Sequence, residues 1–279
     1  MLGSLRRPVA RGGLRLFDAL RLRGALRWIF RRLPPSMRVR IALAQVRLGL
    51  MGGLIKVPER NLERSLEAAL NLFEPLEMTG TSAYLEFGVF VGTSMACMSR
   101  ATERVGATDL RLVGFDSFQG MPTGEERDSV WTWQPGQLYS DIKLTRANLR
   151  RQGVPLSRVT LVPGWFKDSL THSTLHGLGI DRAVIIMMDC VLESSTRTAL
   201  EFCTPLIRDR TVIFFDDWSA AQLAERGMGE ARAFGDWLEA HPEMSAVEAP
   251  ELSYEKDCKP FIVSRRTATD LASMGSSRT

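Results

Sequence analysis

Residues Tyr84–Ser94 read Y-L-E-F-G-V-F-V-G-T-S. Tyr84, Leu85, Phe87, Val89 and Phe90 make a short, β-prone apolar run of the kind that forms a buried strand. Gly88 and Gly92 then open a tight turn into Thr93–Arg104, where Met95, Met98 and Ser99 suit a helix. Glycine in such a turn lets a ligand approach the backbone. The helix start beyond it offers free N–H groups, which favour a carboxylate or phosphate. Glu86, an acid inside an apolar strand, is expected to turn its charge toward the cleft. On this segment alone, a ligand-binding turn and an ordinary strand–turn–helix with incidental glycines fit equally well. The spacing is G-x-x-x-G rather than G-x-G-x-x-G, which argues against a nicotinamide oxidoreductase.

Four more strands follow the same pattern. Arg111–Ser117 (R-L-V-G-F-D-S) ends in Asp116, which lies 24 residues after Gly92. That is close to the interval at which an acid meets ribose hydroxyls in nucleotide-binding α/β units, although a helix cap or turn is the plainer role. Arg158–Pro163 precedes Gly164-Trp165-Phe166, which could border a flat ring or, for Trp165, sit in the core. Ala183–Asp189 (A-V-I-I-M-M-D) and Thr211–Trp218 (T-V-I-F-F-D-D-W) are apolar until their last residues. Helices are expected over 59–77, Asp141–Gln152 and Glu225–Ala240, with two late β segments at Ser245–Ala249 and Pro260–Ser264. Long apolar strands alternating with helices predict an α/β fold with a mostly parallel sheet covered on both faces. In such sheets ligands bind beyond the carboxyl ends of the strands. Asp116, Asp189, Asp216 and Asp217 fall at those ends. Converging carboxylates repel one another unless a cation or donors lie between them, and all-oxygen ligation suits Mg²⁺. The alternative is that some of these aspartates cap the following helices.

At 279 residues with 44% hydrophobic content the chain can bury one substantial core. Its net charge of +4 is uneven: residues 1–50 hold twelve arginines and one acid, Asp18, for a local +11, leaving about −7 for residues 51–279. Leu22, Ala25, Leu26, Ile29, Phe30 and Leu33 stand at helical spacing in that arm, ahead of Pro34-Pro35. A basic amphipathic helix suits an anionic membrane surface or a protein partner, with packing on its own body or targeting as alternatives. Nucleic-acid binding is not expected, because Trp28 and Phe30 occupy helix-face positions rather than a stacking platform. The irregular stretch Phe118–Ser140 carries Trp131 and Trp133 and is long enough for a lid. Cys97, Cys190, Cys203 and Cys258 form no C-x-x-C pair and read as reduced thiols of a cytoplasmic protein. The expected organisation is a basic extension over 1–50, one catalytic domain over 51–265 and a flexible tail over 266–279.

With the strands in place, the chain resembles the macrocin O-methyltransferase family of class I S-adenosylmethionine-dependent methyltransferases. Four motifs carry the resemblance: L-E-F-G-V-F-V-G-T-S, G-F-D-S-F-Q-G-M-P at Gly114–Pro122, P-G-W-F-K-D-S-L at Pro163–Leu170, and F-F-D-D-W at Phe214–Trp218. It covers about Glu59 to Val263 and leaves the basic arm uncovered. It implies a Rossmann-like, seven-stranded sheet with S-adenosylmethionine over the strand ends. Gly88, Phe90 and Gly92 would pass close to the methionine portion, with Glu86, Thr93 and Ser94 adding polar contacts. Asp116 and Ser117 would hold the ribose, and Gly164, Trp165 and Phe166 would lie by the adenine. Asp189, Asp216 and Asp217 would bind Mg²⁺, which grips adjacent hydroxyls of a sugar or glycoside acceptor. A homo-oligomer is also implied.

The resemblance breaks at one point. The family run after the fourth strand is close to D-x-D-x-Y-E-S, and its second aspartate is the expected proton acceptor. Here Asp189–Ser195 reads D-C-V-L-E-S-S, so Val191 stands at that carboxylate's position and Glu193 at the tyrosine's. Asp189 and Glu193 are the carboxylates left to take the proton, while His172 and His176 are expected on a surface helix or loop. Three functions follow: a Mg²⁺-assisted sugar O-methyltransferase, a non-catalytic S-adenosylmethionine-binding partner, or a methyltransferase of membrane-attached glycolipid or polysaccharide.

Overall fold

Strand β1 (Ser82–Phe87) is buried along its whole length because it lies in the middle of a seven-stranded sheet of order β3-β2-β1-β4-β5-β7-β6. The structure, a computed structural model, describes residues 57–122 and 138–266 together with the isolated positions Arg32 and Met37. The arm helix, Trp131 and Trp133, and the tail beyond Arg266 lie outside the described residues. Strands β2 (Arg111–Asp116), β3 (Val159–Pro163), β4 (Arg182–Met188) and β5 (Thr211–Phe215) run parallel to β1, while β6 (Met244–Glu248) and β7 (Lys259–Arg265) are antiparallel.

The pleat splits the core into two halves. On one face Tyr84, Leu112, Met187 and Phe214 meet Leu62, Leu66 and Leu70 of α1 (Glu59–Leu70) and Met95 and Met98 of α2 (Thr93–Val105). On the other, Leu85, Phe87, Phe115, Ile186, Met188 and Phe215 pack on α6 (Glu193–Cys203) and α7 (Gly229–Ala240) through Leu200, Phe234 and Trp237. Between them in sequence lie α3 (Ile142–Arg151), started by the Asp141 side chain accepting from Leu144 N–H, and the short helices α4 (Phe166–Ser169) and α5 (His172–Leu178).

Four boundaries differ from the sequence reading by more than one residue, among them the helix expected over Glu225–Ala240, which begins at Gly229. The helix expected over 59–77 stops at Leu70, and Pro75–Glu77 forms a separate 3-10 turn. The first strand ends at Phe87, so Val89 and Phe90 belong to the turn. The fifth ends at Phe215, which puts Asp216, Asp217 and Trp218 beyond the ladder.

The order in which strands are added reverses between the parallel β1 and β4, since β2 and β3 build outward on one side and β4 and β5 on the other. At such a switch the loops part and leave a crevice over the carboxyl ends. Gly88 and Asp189 stand on its two sides in backbone contact. A Cβ on Gly88 would come within 1.9 Å of the Asp189 carbonyl oxygen, and its φ of +97° lies in the left-handed region. The sequence leaves this glycine equally open to ligand approach and to an incidental role; here the Asp189 carbonyl just beyond β4 already excludes any side chain. Gly88→Ala is expected to lose at least about 2 kcal/mol in chemical denaturation. Gly106→Ala, with φ +78° but open space around it, should lose about 1 kcal/mol. Equal losses would show that the Asp189 contact is soft.

Candidate active site

The turn after β1 is braced from β2. Asp116 Oδ2 accepts the N–H groups of Val89 at 2.9 Å and Phe90 at 2.8 Å, and Oδ1 accepts from Phe118 N–H at 2.6 Å. Burial pushes this carboxyl upward, and the three N–H donors pull it back. Phe90 and Phe118 both have positive φ, so Asp116 holds two strained residues in place. Helix α3 closes the other side: Thr145 donates to the Phe90 carbonyl and Asn148 to the Val91 carbonyl at 2.7 Å. Leu149 packs against Gly92, where a Cβ would meet its side chain at 2.9 Å and force it to shift. Gly92 has φ +78° at the start of α2, followed by half-buried Thr93. The aspartate expected to face ribose thus has the turn's backbone as its partners here.

Glu86 corrects a second expectation. It is fully buried and does not turn its charge into the cleft. Its carboxylate accepts from Ser94 Oγ at 2.6 Å and Tyr84 Oη at 2.9 Å, pinning the start of α2 to the middle of β1. Burial pushes Glu86 up to about 7, against the opposing pull of those two hydrogen bonds.

Across the crevice, the ladder brings the acids together. Asp189 N–H donates to the Phe87 carbonyl and Asp216 N–H to the Met188 carbonyl, each at 2.9 Å, so both residues extend adjacent strands by one step. Ligand oxygens of Asp189, Asp216 and Asp217 lie within 4.8 Å of one another. Asp216 Oδ1 and Asp217 Oδ2 are buried without a hydrogen-bond partner among the described residues. Burial first, and then mutual repulsion, pushes Asp189 and Asp216 well above the carboxylate range. Asp217 rises to about 7 through burial and the nearby Glu255 and Asp257, held back by the Val191 N–H. Oxygen-only donors with unsatisfied lone pairs fit a hard divalent cation such as Mg²⁺. A second acidic group, Glu59, Glu63 and Cys97, does not have this character, because Arg100 reaches all three.

The remaining expected residues are distributed unevenly. Gly164 follows β3, its N–H donating to the Asp116 carbonyl at 3.0 Å. Trp165 is half-buried at the start of α4, and Phe166 stands edge-on to Phe87 at 5.7 Å. Ser117 Oγ accepts from Gln119 N–H and donates to the Gly120 carbonyl, shaping the chain after β2. His172 and His176 are exposed on α5, as expected. Glu193 opens α6 and pairs with Arg197 at 2.7 Å, outside the acid triad. Val191 is 3% exposed, packs on Leu223 and Met228, and has φ +55°. A β-branched residue is strained there, whereas Asp or Asn tolerates this conformation. Sequence reasoning missed Glu230, a buried acid in the first turn of α7 that accepts the Asp217 N–H at 3.1 Å. In the sequence it looks like an ordinary acid favouring a helix start.

Sheet order, glycine turn and acidic strand tips define the class I S-adenosylmethionine-dependent methyltransferase architecture. The macrocin O-methyltransferase (TylF) family model matches residues 64–237, and the chain belongs to that family. Over 141 residues it is 32% identical to the 8-demethyl-8-(2,3-dimethoxy-alpha-L-rhamnosyl)-tetracenomycin-C 4'-O-methyltransferase of Streptomyces olivaceus, a match covering 48% of this chain. The matched region spans about half of that relative, 52% of its length. Among solved structures, the O-methyltransferase NovP superposes with a TM-score of 0.57 at 20% identity, covering 75% of this chain and 79% of NovP. The calicheamicin methyltransferase CalS11 gives 0.53 at 18%, covering 84% and 86%. At these identities the likeness is one of fold.

The buried Glu86 makes stability depend on pH. Its folded pKa of about 7 lies above the ordinary 4.5, so its contribution is fully present below about pH 4.5 and lost as pH rises through 7. Between about pH 5 and pH 8 the unliganded protein should lose about 2 kcal/mol relative to Glu86→Gln in urea denaturation. Parallel pH profiles would contradict the burial argument.

Proposed function

We propose that this chain is a Mg²⁺-assisted S-adenosylmethionine-dependent O-methyltransferase acting on a hydroxyl of a sugar or glycosylated natural product. The observation that carries the reading is the meeting, at one crevice, of a braced glycine turn and three clustered acids, two of which, Asp216 and Asp217, have a buried oxygen with no partner among the described residues. Family membership and the rhamnoside named in the S. olivaceus relative support the acceptor class. When bound, the donor supplies an electrophilic methyl group and the cation supplies charge that acidifies a hydroxyl.

The chain's own residues have separable tasks. The Gly88–Ser94 turn and the N-terminus of α2 receive the methionine portion. Asp116 Oδ1, with one N–H partner, retains capacity to accept from ribose beside Ser117. Gly164, Trp165 and Phe166 border the adenine. Asp189, Asp216 and Asp217 would hold Mg²⁺ and align the acceptor, which supplies most of the effect in a direct displacement. Valine at 191 cannot accept a proton. Asp189, pushed upward by burial and by Asp217, is the carboxylate assigned to take the proton, since Glu193 is paired with Arg197.

Val191 also supports a second reading, a S-adenosylmethionine-binding partner protein without turnover. Transfer of labelled methyl from S-adenosylmethionine to a panel of rhamnosides and other glycosides separates the two. The catalytic reading predicts turnover that falls at least about 100-fold in Asp189→Ala and in excess chelator. Full activity under both conditions removes the metal. Binding of S-adenosylhomocysteine without transfer to any acceptor favours the partner protein.

A further inference from the structure

Glu230 is the second residue of α7, and no part of it reaches solvent. Its Oε2 accepts the Asp217 N–H at 3.1 Å, and Oε1 has no partner among the described residues. The charged groups acting on it are Asp217 and Asp189, both acids. A helix start gains from an acid at an exposed position, so favouring the helix does not account for burying one beside two others. Its hydrogen bond has a more specific consequence. Asp216 N–H is held by the ladder through Met188, but Asp217 lies one residue further out, beyond β5. The chain that follows is irregular, with Ala221 and Gln222 both at positive φ. The Asp217 amide is therefore oriented from α7 and not from the sheet.

We propose that Glu230 is a positioning residue: by accepting the Asp217 N–H it fixes the Asp216–Asp217 peptide so that both carboxylates converge with Asp189 on one divalent cation. This rests on the Mg²⁺ reading above. Three features bear on it: the contact is to the main chain of a ligand residue, it is sealed from water, and the unpartnered oxygens of Asp216 and Asp217 lie in the same group. The property that matters is an acceptor oxygen at the reach of a glutamate side chain, which glutamine shares and aspartate, one methylene shorter, does not.

The experiment is a calorimetric titration of Mn²⁺ into the full chain saturated with S-adenosylhomocysteine, comparing wild type, Glu230→Gln, Glu230→Asp and Glu230→Met. Glu230→Gln should bind one Mn²⁺ within about threefold of wild type, and Glu230→Asp and Glu230→Met at least about tenfold more weakly, with nucleoside affinity unchanged. If Glu230→Met does not fold, the Gln and Asp variants still decide the matter. Wild-type Mn²⁺ affinity in Glu230→Asp, or a loss in Glu230→Gln as large as in Glu230→Asp, overturns the proposal. Wild-type protein that binds the nucleoside but no Mn²⁺ removes the metal reading itself, and this inference with it.

Discussion

Three carboxylates with oxygens within 4.8 Å of one another, two of them carrying a buried oxygen with no hydrogen-bond partner among the described residues, are the constraint around which this structure is arranged. Like charges at such separation repel by a few kcal/mol per pair in a partly buried setting. The chain does not relieve the repulsion by separation, because the parallel register of β4 with β5 sets Asp189 beside Asp216. Nor does it relieve it with a cation of its own, since the groups acting on Asp189 and Asp216 are acids. Such an arrangement is destabilising by itself and becomes favourable when a divalent ion is present.

The donor half of the crevice is tied to the acid half through the main chain. Gly88 lies on the Asp189 carbonyl so closely that a side chain there would overlap it. On the far side of β1, Asp116 and α3 hold the turn in a shape that its strained Phe90 would not keep unaided. Among the described residues the candidate site is thus built on strand ends and the short turns that follow them, a placement suited to reactions governed by alignment. Glu86 and Glu230 repeat one device on opposite sides of the crevice. Each is a wholly buried acid: Glu86 bonds to Ser94 at the start of a helix, and Glu230 holds the backbone of Asp217.

Much of this was legible in the sequence, and the reason is local. β1 to β5 announce themselves as apolar runs closed by glycine or aspartate, and parallel strands must end on the same side of the sheet. That logic by itself groups Asp189, Asp216 and Asp217 at one edge of the sheet. What could not be read were orientations set by partners distant in sequence. Glu86 points inward because Ser94 and Tyr84 meet it there, and Gly88 is glycine because of a carbonyl about a hundred residues away. Glu230 has no sequence signal beyond a helix start, and its role depends on which amide it meets. Val191 was visible as a departure, but its strained backbone and its burial against Leu223 and Met228 were not.

The most direct measurement is thermal unfolding of the full chain and of Asp217→Asn, each with and without millimolar Mg²⁺. If unrelieved repulsion at the strand tips is the governing fact, Mg²⁺ raises the wild-type midpoint by several degrees. Asp217→Asn then begins above the unliganded wild type and gains nothing from the ion. A wild-type midpoint indifferent to Mg²⁺, together with an Asp217→Asn midpoint at or below it, would contradict the account.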